Sequence, residues 1–300
     1  MLNSVKATTS VSFNRQIRLV HEIGLNPNQA TGALYIADRY RSADRQIKAG
    51  SDLFSQGERG EAIYSLTDGW VALYKLLEDG RRQILQFALP GAVLAFMPSR
   101  SAVMNYSALA LTNAIVQVVP YDNLARLSRD NPEIGMQLAG MISRDRSLAY
   151  EHLSSIGRTS ARERVASLLL ELFIRSRLHW PGHRSEEMNL PVTQEHIGDA
   201  TGLTGVHVNR VVRDLCKDRI LEFHYRRLCI LNPDKLVDVA GIDPHVALSW
   251  IDNDTSNGEN AGKHNTGVAP ASMRVNRTAL HMAPQSAPEP WRSAALGVQW

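Results

Sequence analysis

Between residues 41 and 120, apolar and polar positions alternate in short runs, the period of two that half-buried strands require. The runs Ala62-Ile63-Tyr64-Ser65-Leu66, Trp70-Val71-Ala72-Leu73-Tyr74 and Gln83-Ile84-Leu85-Gln86-Phe87 are punctuated by Gly57, Gly69, Gly80 and Gly91, eleven or twelve residues apart. The pairs Asp68-Gly69 and Asp79-Gly80 suit the positive φ of tight hairpin turns. Residues 101–121 carry no charge and are long enough to cross a bilayer, but Asn105, Tyr106, Asn113, Gln117 and Pro120 interrupt them. Two strands around a turn near Thr112-Asn113 explain this stretch better. An antiparallel, jelly-roll-like β-roll is predicted, its interior either packed or open to a ligand.

After Asp130-Asn131-Pro132 the period lengthens to about 3.6. Pro132 suits a helix N-terminus. Ile134, Leu138, Met141 or Ile142, Leu148 or Ala149, Leu153 and Ile156 form an apolar stripe interrupted by Asp145 between Arg144 and Arg146. Such a stripe serves either a core-facing helix or a coiled-coil seam between two subunits. A second helix is predicted from Ala161 to Arg177, with Val165, Leu168, Leu169, Leu172 and Phe173 on one face. A polar loop, 179–187, follows, and then a short apolar strand candidate, Leu190-Pro191-Val192. From Asp252 onward Asn, Gly, Pro, Ser, Thr and Ala dominate, a composition expected to stay disordered despite Trp291 and Trp300.

The stretch 193–215 reads as two short helices around a tight turn. Thr193 is an N-cap candidate, with Glu195 favourably placed in the first turn. Ile197 and Ala200 point inward, Gly202 supplies a left-handed turn, Leu203 plugs the core and Thr204 caps the second helix. Val208, Val211 or Val212, and Leu215 make that helix's buried face, leaving Val206, His207, Asn209, Arg210 and Arg213 outward. An αα-hairpin with a polar face fits the same pattern as a helix-turn-helix whose second helix enters the major groove. Arg pairs with guanine, Asn with adenine, and an apolar side chain meets a thymine methyl. The following runs, Ile220-Leu221-Glu222-Phe223 and Leu228-Cys229-Ile230-Leu231, predict a β-hairpin. Its tip carries Arg226 and Arg227, placed like a wing that contacts phosphates.

Composition narrows the class without naming a function. Of 300 residues, 44% are hydrophobic and 21% charged, which excludes a collagen, a wholly disordered chain and a disulfide scaffold. The net charge of +3 permits a polyanionic partner without demanding one. Two cysteines, Cys216 and Cys229, are too few for a Cys-based zinc site or an iron–sulfur cluster. Core packing explains Cys216 more simply than a redox switch. His179 and His183 straddle Pro181-Gly182, so they share no helical face for a metal. No Gly-rich phosphate loop, nucleophile elbow or HExxH motif is present, and the chain is expected not to be an enzyme. The first twenty residues hold no long apolar run, so a cytoplasmic protein without a membrane partner is expected.

The order β-roll, long helix, winged helix-turn-helix resembles the Crp/Fnr family of bacterial transcription regulators over roughly residues 40–242. The segments carrying the resemblance are Gly69-Trp70-Val71-Ala72-Leu73-Tyr74-Lys75-Leu76-Leu77-Glu78-Asp79-Gly80-Arg81-Arg82-Gln83-Ile84 and Gly202-Leu203-Thr204-Gly205-Val206-His207-Val208-Asn209-Arg210. The expected class is α+β, with a leader and helix in 1–39, an effector-type roll in 40–129 and a dimerisation helix in 130–157. A winged helix-turn-helix follows in 158–242, and a tail in 243–300. The resemblance implies a homodimer joined along 132–156, double-stranded DNA bound at a near-palindromic promoter site through the recognition helix 204–215, and contact with RNA polymerase. Thr193, Thr204, Val206, His207, Asn209, Arg210, Arg213, Arg226 and Arg227 are the expected DNA-binding residues. The alternative is a small-molecule or nucleotide-gated roll acting mainly through protein partners.

Two departures bear on the effector. Cyclic-nucleotide-binding members carry Gly-Glu and then Arg-Ser or Arg-Thr to hold the ribose and phosphate. Here Ala92 follows Gly91, Met104 and Asn105 fall where Arg-Ser belongs, and Arg100-Ser101 lies four residues early. Oxygen-sensing members use an N-terminal cysteine cluster, and no cysteine precedes Cys216. Neither a cyclic nucleotide nor an iron–sulfur cluster is therefore expected as cofactor. The recognition helix departs as well: Gly205-Val206 stands where the best-known members have Arg-Glu, and only Arg210 persists.

Overall fold

A computed structural model describes residues 42–96, 103–177, 185–243, 246–247 and 250. His179, His183, Arg100-Ser101, the leader, and Trp291 and Trp300 of the tail lie outside the described residues. The chain divides into two units, Met1–Thr255 and Ser256–Trp300, and every element below belongs to the first.

The alternating region forms two four-stranded antiparallel sheets. One has the order β1 (Ala43–Ile47), β8 (Ala114–Pro120), β3 (Ala62–Asp68), β6 (Val93–Leu94). The other has the order β2 (Asp52–Phe54), β7 (Ser107–Ala110), β4 (Val71–Leu76), β5 (Arg82–Ala88). Between them pack Leu53, Phe54, Leu66, Val71, Met104 and Val116. Phe54 stacks on Tyr64 and meets Tyr106 edge-on, with ring centroids 5.8 and 5.5 Å away.

Two of the expected turns behave differently. Asp79-Gly80 closes a true hairpin, in which Leu76 pairs with Arg82 and the Gly80 amide donates to the Leu77 carbonyl at 2.9 Å. Asp68-Gly69 does not: β3 and β4 belong to opposite sheets, so this pair turns the corner between them. Gly69 has φ +88°, and a Cβ there would run into the backbone of Asn113 and Ala114. The turn near Thr112-Asn113 likewise joins β7 and β8 across the two sheets rather than pairing them.

Helix α1 (Tyr121–Asp130), not anticipated from the sequence pattern, leads into the long helix α2 (Pro132–Arg158). The apolar stripe of α2 splits between two faces. Leu138 and Leu148 are buried against the chain, with Ile134 and Met141 packed beside them, while Ile142, Leu153 and Ile156 stay exposed. Asp145 belongs to the inward face, where Gln86 Nε2 donates to its Oδ1 at 3.0 Å. Helix α3 (Ala161–Arg177) follows, with residues from Val165 to Ile174 buried on nearly all sides.

The terminal head contains α4 (Gln194–Thr201), α5 (Gly205–Lys217), α6 (Pro233–Ala240) and a sheet of order β10 (Leu221–His224), β11 (Arg227–Ile230), β9 (Glu186–Asn189). The expected strand Leu190-Pro191-Val192 is corrected: the strand is the preceding Glu186–Asn189, which pairs with β11 through the vacant edge of the wing. Glu187 and Asn189 face outward, and Met188 inward with the half-buried Glu186 on its side, so no apolar run marks it. Leu190 and Val192 instead enter the head's core with Ile197, Val208, Leu215 and Leu228. That core is continuous with Ala72, Ile84 and Phe87 of the second roll sheet, so roll and head are packed together.

Candidate nucleic-acid interface

The head presents a helix-turn-helix whose caps follow from its sequence. Thr193 Oγ1 accepts from the His196 amide at 3.1 Å, and the Thr193 amide donates to His196 Nδ1 at 3.3 Å. This is a capping box with His in the place of the usual Glu. The imidazole must keep Nδ1 unprotonated to accept. Burial accordingly holds its pKa below the ordinary histidine value, and the positive charges of Arg82 and Arg226 act in the same direction. Gly202 ends α4 in the left-handed conformation, φ +69°, and Thr204 Oγ1 caps α5 by accepting from the His207 amide at 3.3 Å.

Helix α5 buries Val208, Val211, Val212 and Leu215. Its opposite face carries Val206, 75% exposed, with His207, Arg210 and Arg213 also exposed. Neither arginine is ion-paired among the described residues, and no acidic residue lies in the first turn. Asn209 differs: it is half-buried, and its Nδ2 donates to Gln194 Oε1 at 2.8 Å. The bond ties the recognition helix to the start of α4. Gln194 was not among the expected residues, because a glutamine after a cap carries no pattern of its own.

The wing also departs from expectation. Only Tyr225 and Arg226 form its two-residue tip, since His224 and Arg227 are the last cross-strand pair. Arg227 opens β11 and forms an ion pair with Glu187 of β9, which sequence distance had hidden. Arg226 keeps an unpaired side chain among the described residues, and its carbonyl accepts from the amide of Leu190, three residues before the Thr193 cap, at 2.6 Å. The wing tip and the N-terminus of α4 therefore stand at the same end of the head. A free cation and a helix N-terminus there suit two phosphates of one backbone.

Arg82 of the roll reaches this head. Its Nε lies 2.7 Å from Asp199 Oδ2 of α4, its Nη2 lies 4.0 Å from Glu195, and its guanidinium covers the Tyr74 ring at 5.8 Å. Tyr74 in turn donates to Asp52 Oδ2 at 3.0 Å. The two acids of α4 are thus countered from the roll. Cys216, at the end of α5, is half-buried, and burial pushes its thiol pKa up. A protonated thiol is a poor target for oxidants.

Comparison with known proteins agrees with this arrangement. Residues 163–239 match the Crp-like helix-turn-helix domain, and residues 44–131 match the cyclic nucleotide-binding domain. The nitrogen fixation regulation protein FixK of Rhizobium meliloti is 33% identical over 63% of this chain and 83% of its own. The transcriptional activatory protein AadR of Rhodopseudomonas palustris is 32% identical over 61% of this chain and 75% of its own. The structure of FixK2 from Bradyrhizobium japonicum superposes with a TM-score of 0.60 at 30% identity, covering 67% of this chain and 98% of that one. Roll, long helix and winged head thus recur together in regulators of one kind, and the chain belongs to the Crp/Fnr family of DNA-binding transcription regulators.

Proposed function

We propose that the protein binds a near-palindromic promoter site as a homodimer, reading each half-site with the exposed face of α5. The observation that carries this reading is the arrangement of Val206, His207, Arg210 and Arg213 on one exposed face of a helix anchored by four buried apolar residues. Arg210 reads a guanine, Val206 and His207 contact neighbouring base edges, and Asn209 holds α5 to Gln194 while facing the groove. Thr193, Thr204, Arg213 and Arg226 serve the phosphates, and Arg227 supports the wing through Glu187. Selection of bound duplexes from random DNA is expected to return a half-site unlike that of the best-known family members. Recovery of their usual half-site would overturn the altered specificity of α5, and enrichment of no site would overturn the reading. Arg210→Ala is expected to cost about 1–3 kcal/mol per half-site and to relax preference at one base pair. Arg226→Ala should instead weaken all sequences alike and reduce the salt slope by about 1 per half-site.

The exposed second face of α2 supports the dimer. Ile142, Leu153 and Ile156 recur at spacings of eleven and three residues on a surface that this chain does not cover, with Leu153 70% exposed. Spacing of this kind is an a/d seam for a second copy of α2. Leu153→Glu is expected to shift sedimentation from dimer to monomer and remove binding to paired half-sites, leaving the fold intact. A dimer unchanged by this substitution would place the interface elsewhere.

No cyclic nucleotide is proposed for the roll. Met104, at the position where the phosphate-binding arginine is expected, is 2% exposed and packed in the apolar interior, so it offers no charge to a phosphate. The absence of cysteine before Cys216 argues equally against an iron–sulfur cluster. Within the described residues no helix is long and apolar enough to cross a membrane. A cytoplasmic, non-enzymatic regulator contacting RNA polymerase is the reading that accords with the family.

A further inference from the structure

The wing tip is built against its own backbone preferences. Tyr225 and Arg226 have φ of +49° and +65°, both left-handed, in a two-residue turn for which Asn-Gly is the unstrained choice. Side chains with a Cβ and a bulky Cγ pay conformational strain there. The Tyr225 side chain is also 100% exposed, although an aromatic ring gains nothing from water. Neither feature helps the fold. The surroundings nevertheless hold the turn in place: the buried Leu190 donates its amide to the Arg226 carbonyl at 2.6 Å, and Arg227 is pinned by Glu187. A strained, rigidly held turn that displays an aromatic ring beside an unpaired arginine is suited to meeting a surface outside the chain. Leu190, whose amide binds the Arg226 carbonyl, lies three residues before the Thr193 cap, so the tip stands beside the start of α4.

We propose that Tyr225 is a DNA-contact residue, its ring packing on the deoxyribose wall of the backbone flanking the half-site while Arg226 engages the adjacent phosphate. This deepens the DNA reading and rests on it. The division of labour follows from chemistry. A phosphate is served by a cation and releases counterions, so its contribution falls with salt. Sugar C–H groups are served by an aromatic face, whose contribution is apolar and nearly indifferent to salt. Because sugars are common to all sequences, the ring adds affinity without choosing bases.

The test uses the full chain and two duplexes of equal length and base composition, one carrying the selected site and one scrambled, titrated by fluorescence anisotropy over a salt series. Asn tolerates the left-handed region, so Tyr225→Asn is expected to melt at or above the wild-type temperature. It should bind both duplexes more weakly by about tenfold per half-site, the loss expected from leaving roughly half a tyrosine ring unburied, with an unchanged salt slope. Tyr225→Phe should recover most of that loss, and Arg226→Asn should flatten the slope. Affinity of Tyr225→Asn within twofold of wild type would overturn the proposal and leave the tip free for a protein partner. A loss in Tyr225→Phe as large as in Tyr225→Asn would overturn the assignment to the ring. Failure of the wild-type chain on both duplexes would instead remove the DNA reading on which the proposal rests.

Discussion

Glu171→Leu is expected to destabilise the protein by about 3–5 kcal/mol, the penalty for leaving buried charges without their partner. Glu171 is buried on α3 between two cations: His152 Nε2 of α2 at 2.6 Å and Arg175 Nη1 at 2.7 Å. The other ring nitrogen of His152, Nδ1, lies 3.3 Å from the Leu85 carbonyl of β5. Both nitrogens face acceptors, so the imidazole satisfies its surroundings only as the doubly protonated cation. Two cations therefore share one carboxylate where roll, long helix and head meet, with Asp145 held nearby by Gln86. Burial alone would raise the Glu171 pKa, but the His152 charge and hydrogen bond, with Arg175, bring it down to about 2. Burial alone would lower the His152 pKa, but Glu171 and the Leu85 carbonyl outweigh it and raise it.

The pH dependence follows from these two directions. Glu171 contributes stability that is present above its unfolded pKa of about 4.5 and is lost as pH falls towards about 2. His152 contributes stability that is complete below its unfolded pKa of about 6.5 and is lost as pH rises through its raised folded value. The penalty of Glu171→Leu, measured by denaturant unfolding, should therefore be largest between about pH 4.5 and 6.5 and shrink on the alkaline side. The triple replacement Glu171→Leu, His152→Leu, Arg175→Met should recover much of the loss, since apolar groups of similar size need no partner. A loss under about 1 kcal/mol at pH 6 would mean that water screens the cluster as it screens surface pairs.

That cluster shows where sequence reading stops. Local signals were legible because each rests on neighbours in the chain: Pro132 at the start of α2, Thr193 and Thr204 as caps, the outward face of α5. A period of two says that β3 and β4 are strands, but not that the chain changes sheet at Gly69, because a hairpin and a corner use the same residues. The stripe of α2 was visible as one pattern, yet it serves two surfaces, one within the chain and one left open. Charged positions hid β9, whose pairing with β11 decides where Arg227 points. Arg82 and Asp199 are 117 residues apart, and nothing local announces their ion pair.

Gly198→Ala should disable the DNA-reading head, although on propensity alone it would improve α4 by up to about 1 kcal/mol. The turn between α4 and α5 is closed by direct backbone contact. The Leu203 amide donates to the Gly198 carbonyl at 3.0 Å, and a Cβ on Gly198 would stand 2.5 Å from the Leu203 carbonyl oxygen and 3.5 Å from the Gly205 amide nitrogen. These are backbone atoms of the turn, so no flexible side chain can yield. Relief requires the two helices to move apart, at a cost of about 1–3 kcal/mol for overpacking. The functional cost exceeds the cost in stability. On the proposed reading Thr193 and Arg226 serve phosphates and Arg210 a base, so a wider angle between α4 and α5 would keep these contacts from being made together. Specific binding should fall at least about a hundredfold towards the non-specific level, within the span of about 10³–10⁷ that separates the two, while binding to scrambled DNA stays close to wild type. Gly202→Asn makes the contrast, because asparagine accepts the left-handed conformation at φ +69° and the nearest atom to a Cβ there is Arg164 Nη1 at 3.9 Å. If Gly198→Ala bound the selected duplex as well as Gly202→Asn does, the angle between α4 and α5 would not be what aligns the phosphate contacts with the bases.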